Sequence, residues 1–457
     1  FDLSNYLEMR SRILYHEKFV SESLESENYT LKNYFTDQRI DERFLEKNEN
    51  FFGPSYLPLP IIGSGFYHLA EVFSIEPIHF VPLMLNSIIL SLSCVVLFYI
   101  TKEMFGSEKI GFLSALFFGL TSFIWPYITS MYSRPLAILF FLVFIYLIFL
   151  CRRNNNKIVI PLLAGFLIPI TVISHYYFMF FLPVAILYGI LELHKNKKHL
   201  SFFIFGSVAG LFLLFAINYL RFEDILVFGI GGDSAAAGLW IEYHDKWYRT
   251  AEGLYGYLFS PGKNIFIYFP LTLVLPFGLY YLFKREKYFT LFSLFIISFT
   301  YIYLGTNPEW DGGSTWGPSR YLLVILPFIT LSCIALLKEF PRSTLLKIGL
   351  TIFGIVGFFI NLLGNLVWTM YGYSYGWTAE SLWKIQNNKS VFTWDPYFAP
   401  YIQNIKVIST NWVSTLDPNP TILNYFKIGL NGCTYDLFIY CNYGALPIIF
   451  ACLIIMS

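Results

Sequence analysis

The chain has 457 residues, 56% hydrophobic and 20% aromatic, with only 13% charged, a net charge of +1 and a mean hydropathy of +0.55. Soluble domains carry about 25% charged residues, so this composition excludes an ordinary soluble protein and points to a polytopic membrane protein. The near-zero net charge excludes bulk electrostatic attraction to nucleic acid.

In chain order, residues 1–77 form a long polar segment. Apolar runs close to the ~20 residues a helix needs to cross a bilayer follow at 78–101, 110–127, 135–151, 158–174, 176–193 and 201–219. A second long segment covers 220–264. Further apolar runs lie at 265–283, 288–305, 319–337 and 348–369. A third long segment, 370–444, precedes a partial run at 445–457. The chain begins at Phe1 rather than Met and ends in the apolar ALPIIFACLIIMS, so it is expected to be a fragment lacking its first span and cut in its last.

The connections alternate in character. TKEMFGSEK, RRNNNK, HKNKKH, KREK and KEFPRSTLLK, counted from Glu192 for the third, carry 14 Lys/Arg against 5 Asp/Glu, and the rest of the chain 17 against 25. Lys and Arg in short loops stay cytoplasmic, which directs the long segments and the short turns at 128–134 and 306–318 to the outer side. Two N-x-S/T sequons, at Asn28 and Asn388, fall in those outer segments. The six cysteines show no metal-binding pair. Cys94, Cys151, Cys333 and Cys452 sit in or beside apolar runs as small hydrophobes. Cys433 and Cys441 share a polar loop, where a disulfide and two free thiols are equally open.

The spans are nearly free of charge, and Arg134, His175 and Arg320 all fall at their outer ends. A carrier or channel shows ionisable residues or broken helices at mid-membrane. The pattern here points instead to a site at the outer interface.

Several motifs occur in a suggestive order: FDLSNYLEMRSRIL at the start, FFGPSYLPLPIIG (51–63), YSRPLAILFFLVF (132–144), WDGGSTWGPSRYLLVILPF before a late span, and WDPYFAPYIQNIKV (394–407). Together they resemble the membrane glycosyltransferases of the C-type fold (GT-C), most closely the branch of protein mannosyltransferases and lipid A aminoarabinose transferases. The resemblance covers nearly the whole chain. It implies an all-α bundle of about 11–13 transmembrane helices whose outer loops bear short amphipathic helices. It also implies a polyprenyl- or dolichyl-phosphate-linked sugar as donor, a lipid, glycan or protein hydroxyl as acceptor, and an active site on the extracytoplasmic side of the plasma or an equivalent membrane. The sugar is a substrate rather than a cofactor, and no metal is expected.

In such a reaction an acceptor hydroxyl attacks the anomeric carbon with help from a carboxylate base. Attack opposite the phosphate inverts the configuration. The leaving lipid phosphate needs cations or backbone donors. By resemblance, Asp2 aligns with the catalytic aspartate, although Leu3 stands where the family often has a second acid; from position alone Asp2 reads as a helix N-cap. Arg320 is the candidate phosphate clamp, since a planar guanidinium can hold two phosphate oxygens. Its plainer role is an interfacial anchor. Gly312, Gly313 and Gly317 would let backbone approach a ligand closely. Trp310 and Trp316 read equally as aromatic-belt residues and as sugar platforms. Glu309 and Asp311 are candidates to orient hydroxyls, or else a solvated turn. Arg134 stands where many relatives have an acid, and His175 where they often carry arginine. Arg134 is therefore expected to share the phosphate and His175 to hydrogen-bond a ligand, with Tyr132 beside them. Asp233, Trp240 and His244 in the loop 220–264 form no recognisable pattern. The competing readings are a lipid-linked glycan transporter or flippase and a non-catalytic membrane scaffold of the same fold.

Overall fold

The computed structural model describes residues 45–47, 50–52, 58–73, 77–129, 133–153, 157–222, 224–226, 251–307, 310–312, 316–366 and 391–409. Apart from one antiparallel hairpin, Leu45–Lys47 (β1) against Asn50–Phe52 (β2), the described elements are helical. They run α1 (Pro58–Val72), α2 (Pro77–Phe105), α3 (Glu108–Leu120), α4 (Arg134–Arg153), α5 (Val159–Ser174), α6 (Leu182–Leu193) and α7 (Lys197–Phe222). After the second long segment come α8 (Glu252–Phe259), α9 (Ile265–Tyr268), α10 (Leu275–Arg285), α11 (Lys287–Gly305), α12 (Leu326–Glu339) and α13 (Thr344–Leu366). Two short helices close the described chain, α14 (Val391–Trp394) and α15 (Pro400–Ser409).

Among the described residues, seven helical segments are long and apolar enough to cross a membrane: Met84–Phe105, Arg134–Arg153, Tyr176–Leu193, Lys197–Leu220, Lys287–Gly305, Arg320–Glu339 and Thr344–Asn365. The chain is thus built as a helical multi-pass membrane protein. Val159–Ser174 is apolar but shorter. The apolar runs at 110–127 and 265–283 are helical too, but broken. In the first, α3 stops at Leu120 and a 3-10 turn follows at Trp125–Thr129; in the second, α9 and α10 are joined by 3-10 turns at Pro270–Val274.

One kind of break recurs. Three times a 3-10 stretch hands over to an α-helix at a Leu-Pro step: Tyr176–Phe181 before Leu182-Pro183, Pro270–Val274 before Leu275-Pro276, and Arg320–Ile325 before Leu326-Pro327. Proline has no N–H and cannot continue an α ladder, but it fits the first turn of a new helix. The carbonyls upstream are taken by tighter bonds instead, such as Leu326 N–H to Leu323 O and Leu275 N–H to Thr272 O.

The packing ranks the spans. Arg134–Arg153 and Arg320–Glu339 are the most enclosed, with 72% and 83% of their apolar windows buried, against 17% for Thr344–Asn365 and 28% for Lys197–Leu220. On α13 the exposed Leu345, Ile348, Ile352, Ile355 and Phe359 recur at helical spacing. That apolar outer face suits lipid rather than water. The two central segments run parallel. Phe141 on α4 meets Phe328 on α12 at 5.9 Å, and Arg134 lies over the Tyr321 ring at 4.5 Å. Phe141 also contacts Phe178, Phe181 and Phe292, joining four segments through edge-on and stacked rings. Helices in lipid gain most from close van der Waals packing, which favours small residues. The α5–α7 crossing uses this: a Cβ on Gly165 would stand 2.1 Å from Phe203 O, and one on Gly206 2.1 Å from Leu162 O.

Candidate functional site

The two most enclosed segments each begin on an arginine, and the parallel packing brings those arginines to the same end of the bundle. Arg134 opens α4 and is 8% exposed. Its guanidinium carbon lies 4.5 Å from the centroid of Tyr321, and its Nε is buried without a hydrogen bond. Arg320 opens the 3-10 stretch ahead of α12, with Nη2 3.4 Å from the Tyr321 hydroxyl and its guanidinium carbon 5.3 Å from the same ring. One tyrosine thus lies against both cations. A buried guanidinium N–H without an acceptor is costly, and an anion at this place would satisfy it.

His175 completes this end. It caps α5 in an extended conformation, and its Nδ1 accepts from the Tyr177 N–H at 3.3 Å, which starts the next 3-10 stretch. The ring stacks on Tyr176 at 5.0 Å. With Nδ1 accepting, the proton of the neutral imidazole sits on Nε2. Burial, and then the guanidiniums of Arg134 and Arg320, hold His175 well below the usual imidazole range. At neutral pH it is therefore a neutral N–H donor and adds no charge.

Lys263, which sequence reasoning passed over, is a further buried cation. It sits in the turn between α8 and α9 and is fully buried. The turn is tightly laced: Ser260 Oγ accepts from Lys263 N–H at 3.1 Å, Tyr268 donates to Gly262 O at 2.9 Å, and Gly262 N–H reaches Thr393 O at 3.1 Å. Burial pulls the Lys263 ammonium from 10.5 down to about 8, with Asp311 opposing the fall and Arg320 adding to it. Those two influences put Lys263, Asp311 and Arg320 in one electrostatic neighbourhood. The signal available in the sequence was a lone lysine in PGKN at the outer end of a span, where basic residues are sparse.

The Lys263 titration gives an expected result. A phosphate held partly by this ammonium should bind more weakly as pH rises from 7 to 9, because the lysine loses its proton near 8. The second ionisation of a phosphate monoester, at about 6, is complete by then. Lys263→Gln should bind less well at pH 7 and lose the pH step, as measured by titrating polyprenyl phosphate into the protein. The stability linkage has the opposite sign. The folded pKa lies below the ordinary 10.5, so the buried charge weakens the fold below about 8, and that weakening is relieved between about 8 and 10.5.

Trp310 and Trp316 are 3% and 2% exposed, so in this conformation neither presents an open ring face. Trp310 packs where Gly253 and Gly256 leave room, since a Cβ on Gly253 would come within 2.6 Å of the indole and one on Gly256 within 2.3 Å. Its carbonyl accepts from the Tyr257 hydroxyl at 2.5 Å. Trp316 lies against Gly364, meets Tyr268 edge-on at 5.4 Å, and donates from Nε1 to Asn361 Oδ1 at 3.2 Å. Both tryptophans hold the motif against the bundle. Gly312 and Gly317 have φ of 67° and 78°, the left-handed region that glycine adopts without strain. The chain can therefore turn sharply twice between Trp310 and Ser319, whose hydroxyl caps the Arg320 stretch by accepting from Tyr321 N–H at 3.3 Å.

Asn361 secures the same region. Its Nδ2 lies 3.1 Å from Thr121 O, 2.8 Å from Tyr268 O and 2.8 Å from Gly357 O. Thr121 and Tyr268 are where two broken helices leave carbonyls free. Irregular backbone within a membrane protein persists only where such groups are satisfied. Asn361→Leu should lower the thermal midpoint in detergent, by about 1–3 kcal/mol for each carbonyl orphaned, and should loosen Trp316. An unchanged midpoint would show that water replaces the amide.

Of the candidates read from the sequence, Arg134, His175 and Arg320 come together, Asp311 acts electrostatically on Lys263, and Trp310 and Trp316 are buried against other parts of the bundle. Asp2, Tyr132, Glu309 and Gly313 lie outside the described residues, as do Asp233, Trp240, His244, both sequons and the Cys433/Cys441 loop. Chemically, the assembled part can hold an anion: two guanidiniums share Tyr321 beside a neutral imidazole donor, and Lys263 and Asp311 act on each other electrostatically nearby. Compared with known proteins, the chain matches no family model and no curated protein.

Proposed function

We propose that this chain is an inverting glycosyltransferase that moves a sugar from a polyprenyl- or dolichyl-phosphate donor to a hydroxyl on a lipid, glycan or protein at the extracytoplasmic membrane face. The observation that carries the reading is the meeting of Arg134 and Arg320 on one tyrosine, Tyr321, at the heads of the two most enclosed apolar segments, with the buried Lys263 within electrostatic reach of Arg320. Such a place suits a ligand with a charged phosphate and a lipid tail. The motif order resembling the GT-C enzymes supports the same class.

In this reading the acceptor oxygen attacks the anomeric carbon as the bond to the phosphate oxygen breaks. The leaving phosphate keeps the electron pair, and Arg134, Arg320 and Lys263 stabilise the charge it gains. His175 donates a hydrogen bond without competing as a cation. The acceptor proton passes to a carboxylate base, assigned to Asp2. Among the described residues, charged side chains within the seven candidate spans lie near span ends. That favours an interfacial enzyme over a carrier with a charged mid-membrane path.

The test is turnover. The full-length protein in lipid is offered a panel of polyprenyl-phosphate sugars with crude membrane or glycan acceptors, and release of polyprenyl phosphate and the anomeric configuration of the product are followed. Release with inversion is expected. Retention of configuration, or transport of intact donor without release, would contradict the reading. The chemistry is expected to need no metal, so activity lost to a chelator and restored by a divalent ion would also count against it.

A further inference from the structure

The opposite end of the bundle carries a second charged site. α4 is 20 residues long, so its last turn lies about 30 Å from Arg134 at about 1.5 Å per residue. There a cavity of about 400 Å³ opens between the ends of α4, α6 and α10 and the starts of α7 and α11. Its lining includes four basic side chains, Arg152, Lys195, Arg285 and Lys287, against two acids, Glu192 and Glu286. Arg152 already engages both acids, with Nη1 2.7 Å from Glu286 and Nε 3.8 Å from Glu192. Arg285 is held by its Nε on Met104 O at 2.9 Å. Lys195 and Lys287 are exposed, and neither forms an ion pair among the described residues.

The lining includes an imidazole. His199 is 1% exposed, and both its ring nitrogens are buried without a hydrogen-bond partner. A buried, unpartnered imidazole is expensive, and whichever nitrogen carries the proton, it presents an N–H. Two long helices, α7 and α11, also begin at this cavity, adding the partial positive charge of their N-termini. Excess cation charge, an orphaned buried donor and two helix starts favour the same ligand.

We propose that this cavity binds a phosphate group, supplied by an anionic lipid headgroup or by a free phosphate. The site is independent of the transferase reading and lies at the other end of the bundle. Basic pockets between helices at the membrane surface recognise phosphate headgroups through such point charges. Lys195 and Lys287 supply the attraction, and His199 supplies the directional hydrogen bond.

The experiment reads thermal stability of the full chain in phosphatidylcholine nanodiscs. One arm titrates phosphatidylglycerol into the lipid; the other adds inorganic phosphate against chloride at matched ionic strength. A saturable rise in Tm is expected. Its midpoint should move to higher ligand by about fivefold for each of Lys195→Gln and Lys287→Gln, from the roughly 1 kcal/mol of a surface cation. Because both lysines are exposed, these variants should fold as the wild type does. His199→Phe, which keeps a buried ring, should also weaken the effect. Stabilisation by phosphatidylglycerol alone identifies a lipid headgroup, and stabilisation by inorganic phosphate identifies a soluble ligand. No saturable rise in either arm, or an unchanged midpoint in both lysine variants, would overturn the proposal.

Discussion

Arg320→Ala should lower turnover of a polyprenyl-phosphate sugar by about two to three orders of magnitude, the usual cost of removing one pre-organised group from developing negative charge. Arg134→Ala should act similarly, because both guanidiniums lie against Tyr321 and both lower the pKa of His175. Their effects should not add, since removing either already spoils one shared anion site. Lysine should rescue poorly at both places: it carries the charge but not the planar fork that can hold two oxygens. There is a diagnostic side effect. Removing one guanidinium relieves one of the two charges that depress His175, so its pKa should rise towards the ordinary imidazole range. That is readable by NMR on labelled histidine. If alanine at both positions leaves turnover and the His175 titration unchanged, the arginines are interfacial anchors and nothing more.

Asp2→Asn is the second large expectation. Removing a general base from an acceptor hydroxyl should cost about 10²–10⁴ in rate while leaving donor affinity close to that of the wild type. The split separates the base from the clamp: Asp2→Asn should change kcat, whereas Lys263→Gln should weaken donor binding most. Full turnover by Asp2→Asn would leave Asp2 as a helix cap and move the base to another carboxylate, with Asp311, which acts on Lys263, a candidate.

The helices were legible because apolar length and basic loops report directly on membrane crossing. Among the described residues, each of the ten complete apolar runs falls mainly on helical chain. The breaks within them were not, because averaging over a run conceals a single Leu-Pro step: PLTLVLP reads as apolar throughout, yet it is 3-10 helix before Leu275 and α-helix after it. The site was legible in part. Arg134, His175 and Arg320 could be nominated from their positions at span ends, and the two candidate spans that begin on arginine are also the two most enclosed. Lys263 escaped notice because it occupies an ordinary turn and becomes significant only when the fold buries it completely. The tryptophans carry the opposite lesson. A tryptophan beside a span invites a belt or a sugar platform, but Gly253, Gly256 and Gly364 lie far away in sequence, and they create the space that buries both rings.

The most direct measurement is to map where polyprenyl phosphate binds. A photoreactive polyprenyl phosphate is crosslinked to the full chain in lipid, and the labelled peptides are identified for wild type and for the Arg134→Ala/Arg320→Ala double variant. A lipid-phosphate site at the arginine end predicts label on the segments that open at Arg134, Tyr176 and Arg320, lost in the double variant. Label confined to the opposite end, or equal labelling of both proteins, would contradict it.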